Sequence, residues 1–404
     1  MRIRSSFCFL VSLVLLMSSC EKYFGDKTSL DFIDIPNFEA REVAYVPIQP
    51  VLKSFVKPVD ITIGFDELIY VVDEFTEEVI SMDEAGNIIG RMEIPGATAV
   101  VQDRRFDLLV IGTKDTVVNS GGIDTTLSFT AIYRIRMLGA NGYGLNNGQI
   151  INEIVHPFYF KSSYSGSDRQ VRFNRIAILA DNGNPDRNNQ YYVSRSGSSN
   201  NGLNPDDAIL WFNNTDELVS GISVNTSSGL FNDYFESPFG LVGMAQPPQF
   251  TANNGGDFIY TSLDESNAIK IQYIEFLESD VGAEFRARIL ATGDTSKADG
   301  FINSPNRFKQ PKDITVAGDA SSYIFIVDAE TDSLYQFTLS GYEGVQPPAA
   351  SGLSKFQKAS FGGTGDGLTQ FRNPTAVAYY NKVLYVADAG NGRVLRFKLT
   401  LDFD

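Results

Sequence analysis

FRNPTAVAYYNKVLYVADAGNGRVLRF, residues 371–397, decides the fold, because two other stretches repeat its plan. One is FKQPKDITVAGDASSYIFIVDAETDSLYQF, residues 308–337; the other is FVKPVDITIGFDELIYVVDEFTEEVISM, residues 55–82. Each opens on an aromatic residue with Pro three places later: Pro374, Pro311 and Pro58. Each then has an apolar run that ends in Asp: Asp388, Asp328 and Asp73. An aliphatic residue follows six places on (Val394, Leu334, Val79), and a large apolar one at nine (Phe397, Phe337, Met82). A period held at this many positions marks a repeat architecture, in which one unit cannot bury its apolar faces alone.

Within the unit the strand signals are short and separated by turn residues, with no long helical period. In the last copy, residues 375–379 read as an inner strand, 383–387 as a middle one and 393–399 as an outer one. The middle strand is almost wholly apolar, as expected of a strand packed on both faces. Such units stack into a closed ring of blades. Three divergent copies fill the middle of the chain, at 98–137, 175–212 and 241–276; they lack the strand-ending Asp, and Gly112 and Arg195 sit near that slot. The count is six. The last unit runs out of chain after its outer strand, and residues 41–51 (REVAYVPIQPV) have the character to supply a fourth. That would remove an open sheet edge. The fold expected is all-β, a six-bladed β-propeller over residues 41–404 with an N-terminal strand closing the last blade.

The three regular units resemble NHL repeats, most closely over residues 361–397, including the Gly-rich lead-in. The resemblance implies a propeller and extracellular or interaction roles, without implying one activity. Within it the run 362–367 reads as an inter-blade turn. It is not a phosphate loop, since it lacks the Lys-Ser/Thr ending and no helix follows.

Residues 1–19 read as a targeting segment. Arg2 and Arg4 precede an apolar run from Phe7 to Met17, and Ser18 and Ser19 precede Cys20. Leu16-Met17-Ser18-Ser19-Cys20 resembles a bacterial lipobox, which implies a lipidated Cys20, with residues 20–40 a tether; the whole looks like an exported outer-membrane lipoprotein of the Bacteroidetes type. The cysteines are Cys8 and Cys20 alone, so the mature chain has no disulfide or Cys metal site. Without residues 1–19 the net charge of −16 becomes −18, which disfavours nucleic acid.

Catalytic signals are sparse. Propeller hydrolases and lyases similar to this family commonly hold a channel metal with several histidines, whereas here there is one, His156. It cannot build a multi-histidine zinc site or leave a separate Ser-His-Asp triad. His156 is expected in a surface or half-buried loop. No cofactor is implied; the plentiful Asp and Asn leave an all-oxygen calcium site open, and residues 181–186 read better as a solvated turn. Asp73, Asp328 and Asp388 read as caps of the turns that follow them.

Two aromatic connections, HPFYFKSSY at 156–164 and FNDYFESPF at 231–239, are candidate contact surfaces. The candidate partner-binding residues are Phe158, Tyr159, Phe160, Tyr164, Phe231, Tyr234 and Phe235. Residues 113–130 are expected to form a long loop. Three short Asp-Thr/Ser motifs resemble bacterial O-glycosylation sites, at Thr116, Thr125 and Ser333. The function expected is a membrane-anchored binding or scaffolding propeller with a protein partner in the cell envelope, an accessory to an outer-membrane complex. The alternatives are a metal-dependent lactonase or lyase and a glycan-binding surface lipoprotein.

Overall fold

A computed structural model describes residues 43–279, 282–347 and 352–402. The targeting segment, Cys20 and the tether at 20–40 lie outside the described residues. Six small, mainly antiparallel sheets form a ring, a six-bladed β-propeller. Blade one is Pro58–Ile63, Ile69–Asp73, Glu78–Met82 and Ile88–Glu93. Blade two is Ala99–Gln102, Leu108–Ser120, Ile123–Arg136 and Gln149–Val155. Blade three is Arg172–Ile178, Tyr191–Ser196, Ala208–Phe212 and Leu218–Gly221. Blade four is Pro238–Gly243, Phe258–Ser262, Ile271–Ser279 and Gly282–Arg288, widened by the hairpin Val224–Thr226 and Gly229–Phe231. Blade five is Pro311–Val316, Ile324–Asp328, Ser333–Phe337 and Phe361–Gly362.

Blade six is Pro374–Tyr380, Val383–Asp388 and Arg393–Leu399, and its fourth strand comes from the other end of the chain. Tyr45–Leu52 lies antiparallel to Arg393–Leu399, with Tyr45 opposite Leu399 and Leu52 opposite Val394. The expected closure is therefore made, one residue beyond the expected end of the strand.

The core is a set of wedges between neighbouring blades. Ile61, Val71 and Ile80 of blade one pack on Ala376 and Tyr385 of blade six. Leu109 and Ile132 of blade two pack on Ile178 and Val193 of blade three. All five residues of Ile69–Asp73, Phe258–Ser262 and Ile324–Asp328 are buried, which is why these middle strands carry almost no polarity. The segment expected as a loop at 113–130 is instead a hairpin. Its ladder continues without a break from Leu108 opposite Ile135 to Ser120 opposite Ile123. Alternating β-branched and polar residues extend the strands (Thr113, Thr116, Val117, Val118), and Gly121 and Gly122, both at positive φ, make the turn. No helix among the described residues is long and apolar enough to cross a membrane.

Candidate functional site

Strand pairing aligns the blades residue by residue. Pro58 lies opposite Asp73, Pro311 opposite Asp328 and Pro374 opposite Asp388. Asp73 accepts hydrogen bonds from the backbone N–H groups of Val56 (2.6 Å), Lys57 (3.1 Å) and Phe75 (3.1 Å). Asp328 does the same for Lys309, Gln310 and Glu330. Asp388 takes Arg372 N–H and the Arg393 guanidinium. Each carboxylate thus caps the turn after its strand or braces it through Arg393, and also clamps the lead-in to the inner strand. These are structural groups.

The divergent blades fill the slot differently. In blade four Ser262 stands opposite Pro238, and its hydroxyl donates to Glu236 O (2.6 Å). In blade three Arg195 stands opposite Phe173.

The next channel-facing position, two residues beyond each proline, is Asp60 in blade one and Asp313 in blade five. In blade three it is Arg175. Arg175 reaches across the ring axis: its Nε is 3.4 Å from Asp60 Oδ1 and 3.4 Å from Asp313 Oδ1. Its Nη2 donates to Val59 O (3.3 Å) and Thr375 O (3.2 Å). The other carboxylate oxygens accept from Val100 N (2.7 Å) and Val377 N (2.9 Å), the backbones of the next blades. Burial pushes both acids above the usual carboxylate range, against the attraction of Arg175; Asp313 is pushed up to about 7. Phe239 lies between two cations, 5.3 Å from Arg175 and 4.7 Å from Lys312 Nζ. The channel, lined by all six blades, has a volume of about 60 Å³. Organic ligand pockets run to roughly 300–1,000 Å³. The channel is a polar tie between blades, with a resident guanidinium between its acids.

The sequence reading missed this triad. The signal was present as Pro-x-Asp in Pro58-Val59-Asp60 and Pro311-Lys312-Asp313.

The connection from blade two to blade three carries His156. The expectation of a surface or half-buried position is corrected: His156 is 1% exposed. Tyr159, Phe160 and Phe173 surround its ring at 5.8, 5.8 and 6.1 Å, burying it. Its Nε2 is 3.3 Å from Asp168 Oδ1. Burial, helped by Arg195, pushes its pKa down to about 4. Asp168 also holds Lys161 and the Ser165 backbone.

The candidate aromatic residues separate into two sets. Phe158 and Tyr164 flank Phe129 of the blade-two hairpin at 5.6 and 5.9 Å. Tyr159 packs on Phe173 and Phe212 and accepts from Arg195 Nη1 (2.8 Å). Tyr234 is half-buried and donates to Gln272. Phe235, at 1% exposed, is core, wedged against Phe258 and Tyr260, and so has no surface to offer a partner. Phe160 and Phe231 do face solvent, at 48% and 39%.

On either side of the 156–170 connection lies a groove. One, of about 570 Å³, runs between Tyr159, Phe160 and Lys161 and the loop 197–207 of blade three. The other, of about 720 Å³, separates Phe158 and Tyr164 from the hairpin residues Val117 and Val118. Thr116 and Thr125 lie on that hairpin, Thr116 half-buried and Thr125 exposed; Ser333 is half-buried and donates to Thr331 O. At 181–186, Asp181 is spent on Arg187 (2.7 Å) and Gly183 N (2.7 Å), which makes the stretch a braced turn.

No family model and no curated protein matches the chain. Solved structures do. A gluconolactonase from Xanthomonas campestris is 9% identical, with a TM-score of 0.50, over 89% of this chain and 91% of its own. A Bacteroides thetaiotaomicron protein of unknown function is 13% identical, with a TM-score of 0.47, over 89% of this chain and 72% of its own. Virginiamycin B lyase from Staphylococcus aureus is 12% identical, with a TM-score of 0.45, over 88% of this chain and 99% of its own. At these identities the likeness is one of fold alone.

Proposed function

We propose that this chain is an exported NHL-type propeller lipoprotein, held at the outer membrane through Cys20. It acts as a binding module for a protein of the cell envelope. The observation that carries the reading is the contrast between channel and rim. The channel of about 60 Å³ is tied up by Arg175, Asp60 and Asp313. Two open grooves, of about 570 and 720 Å³, flank an aromatic connection that exposes Phe160. Binding sites are concave and are often carried on loops of a rigid scaffold. The signal-like run before Cys20 supports export, and a triacylated cysteine buries enough methylenes for stable anchoring.

Two measurements test the reading. Cys20→Ser should shift the protein from the membrane to the soluble fraction or leave an unprocessed precursor; a processed variant that stays membrane-bound sinks the anchor. Affinity capture from detergent-solubilised membranes should recover an envelope protein with the wild type and lose it with Phe160→Ala. A folded Phe160→Ala protein that keeps every partner removes this face from the interaction.

A further inference from the structure

Blade three inverts the charge of the repeat twice. Where blades one and five place Asp60 and Asp313, it places Arg175; where blades one, five and six place Asp73, Asp328 and Asp388, it places Arg195. The first arginine is answered by two carboxylates. The second is not. Arg195 is 8% exposed, and the partners of its guanidinium are all neutral. Nε donates to Asp206 O (2.8 Å), Nη1 to the Tyr159 hydroxyl (2.8 Å) and Nη2 to Pro205 O (2.5 Å). The nearby carboxylates are already engaged: Asp168 with Lys161, and Asp206 with the Ser199 backbone. Arg134, Arg187 and Arg393, equally buried, each meet a carboxylate. Arg396 lacks one too, but lines neither groove.

A buried charge without a counter-charge is costly, and a guanidinium has five N–H donors in a planar fork. Three are used here, so one remains on each terminal nitrogen. That pair suits the two oxygens of a carboxylate. Arg195 lines the groove of about 570 Å³ whose floor is Ala208, Leu210 and Ile222 and whose wall is Phe160. Its rim offers the hydroxyls and amides of Ser165, Ser167, Asn201, Asn204 and Asn232, beside the Lys161–Asp168 pair and Asp206, which also line it.

We propose that this groove binds an acidic saccharide, with its carboxylate on Arg195, its hydroxyls on the serine and asparagine rim and its apolar ring face toward Phe160. A bare inorganic anion has no use for the apolar floor, and a fatty acid none for the amide rim. A peptide C-terminus is the rival. It favours a sheet edge to extend, and the outer strand here, Leu218–Gly221, is only four residues long. The proposal names the ligand of one groove and rests on this rim being a binding face.

The test is calorimetric titration of the full-length, detergent-solubilised protein. The probes are a panel of uronic-acid and sialic-acid disaccharides, their methyl esters, and an N-acetylated dipeptide with a free carboxylate. At least one acidic disaccharide should bind, and its methyl ester should bind about tenfold or more weakly, as expected for losing a charge-assisted pair. Arg195→Lys keeps the charge but not the fork, so it should show a similar loss when titrated well below its own melting transition, where the variant is still folded. An ester that binds like the acid, an Arg195→Lys protein that binds like the wild type, or a dipeptide that binds as tightly as the sugars overturns the proposal. So does silence across the panel. If that silence accompanies capture of an envelope protein that Phe160→Ala abolishes, the saccharide is wrong and the binding module stands; if capture fails as well, both fall.

Discussion

Blades one, five and six solve one problem with one kind of group, and blades three and four solve it with two others. Every blade must anchor the strand that enters the ring from the preceding connection. The regular blades use a buried carboxylate that accepts backbone N–H groups, as Asp328 does for Lys309, Gln310 and Glu330. Blade four uses a hydroxyl, Ser262 on Glu236 O. Blade three uses Arg195, which holds the connection through the Tyr159 hydroxyl and its own loop through Pro205 O and Asp206 O. The clamp thus changes chemistry while the ring is kept. Beside the arginine clamp, which keeps spare donors, a groove lies open. The repeated acid belongs to the scaffold.

The comparison breaks most visibly at the seam. Blade six takes its fourth strand from Tyr45–Leu52, whose Tyr45 packs with Phe325 and Phe397 in the wedge between blades five and six. Removing residues 43–52 uncovers that wedge and leaves Arg393–Leu399 as an open edge. We expect the cooperative thermal transition to be lost altogether. An unchanged transition would mean that the ring holds without closure.

Next in size is the clamp itself. Asp328→Ala strands four N–H donors around a buried carboxylate and should cost about 3 kcal/mol or more, whereas Ser262→Ala should cost about 1 kcal/mol. Urea denaturation of the two variants gives the ranking. Equal losses would mean that the two clamps do equivalent work, and the contrast between the blades would go.

How much of this was legible beforehand follows from the same contrast. The regular blades repeat a spacing, and a spacing can be read: Pro58, Pro311 and Pro374 fix the entry of the strands, and Asp73, Asp328 and Asp388 their exit. Even the cap role of those acids was legible, because Asp at a strand end has few other uses. The channel triad was only partly legible: the repeated Pro-x-Asp marks Asp60 and Asp313, but Arg175 has no such repeat and meets them only once the ring closes. The hairpin at 113–130 was misjudged because its threonines and glycines suit a loop as well as a twisted ribbon. Among the aromatics, Phe160 and Phe235 look alike as letters. What separates them is that Phe235 falls between Phe258 and Tyr260, while Phe160 ends up on the rim.

Acid titration sets the two regions against each other. His156, in the divergent half, has its pKa lowered from 6.5 to about 4 by burial. The unfolded chain therefore takes up that proton first, and stability falls as pH drops from 6.5 through 4, by about 3 kcal/mol at most. Asp313, between the halves, has its pKa raised from 3.8 to about 7, again mainly by burial. The folded chain holds that proton longer, so its contribution is present below 3.8 and is lost as pH rises through 7. Because Asp60 shares Arg175 with it, the two acids titrate as a pair. Between pH 4 and 7 the contributions oppose. His156→Gln should leave a melting temperature that declines with rising pH more steeply than the wild type; Asp313→Asn should do the reverse. Parallel curves for all three proteins would dismiss both assignments.

The smallest expected effect on stability is the most informative about function. Phe160 is 48% exposed and Leu203 81%, on opposite walls of the groove beside Arg195. Exposed apolar side chains contribute little to folding, so truncating both to Ala should change stability by no more than about 0.5 kcal/mol each. An anchor in an interface behaves otherwise and typically costs about 2 kcal/mol of binding or more when truncated. The double variant should therefore melt with the wild type yet fail to retain its partner. The regular side of the ring supplies the control: Phe75, 72% exposed on the turn after Asp73, should be silent in both measurements when changed to Ala. If Phe75→Ala weakens capture as much as the Phe160 and Leu203 pair does, the interaction is not confined to the divergent blades. Their departures from the repeat would then need another cause.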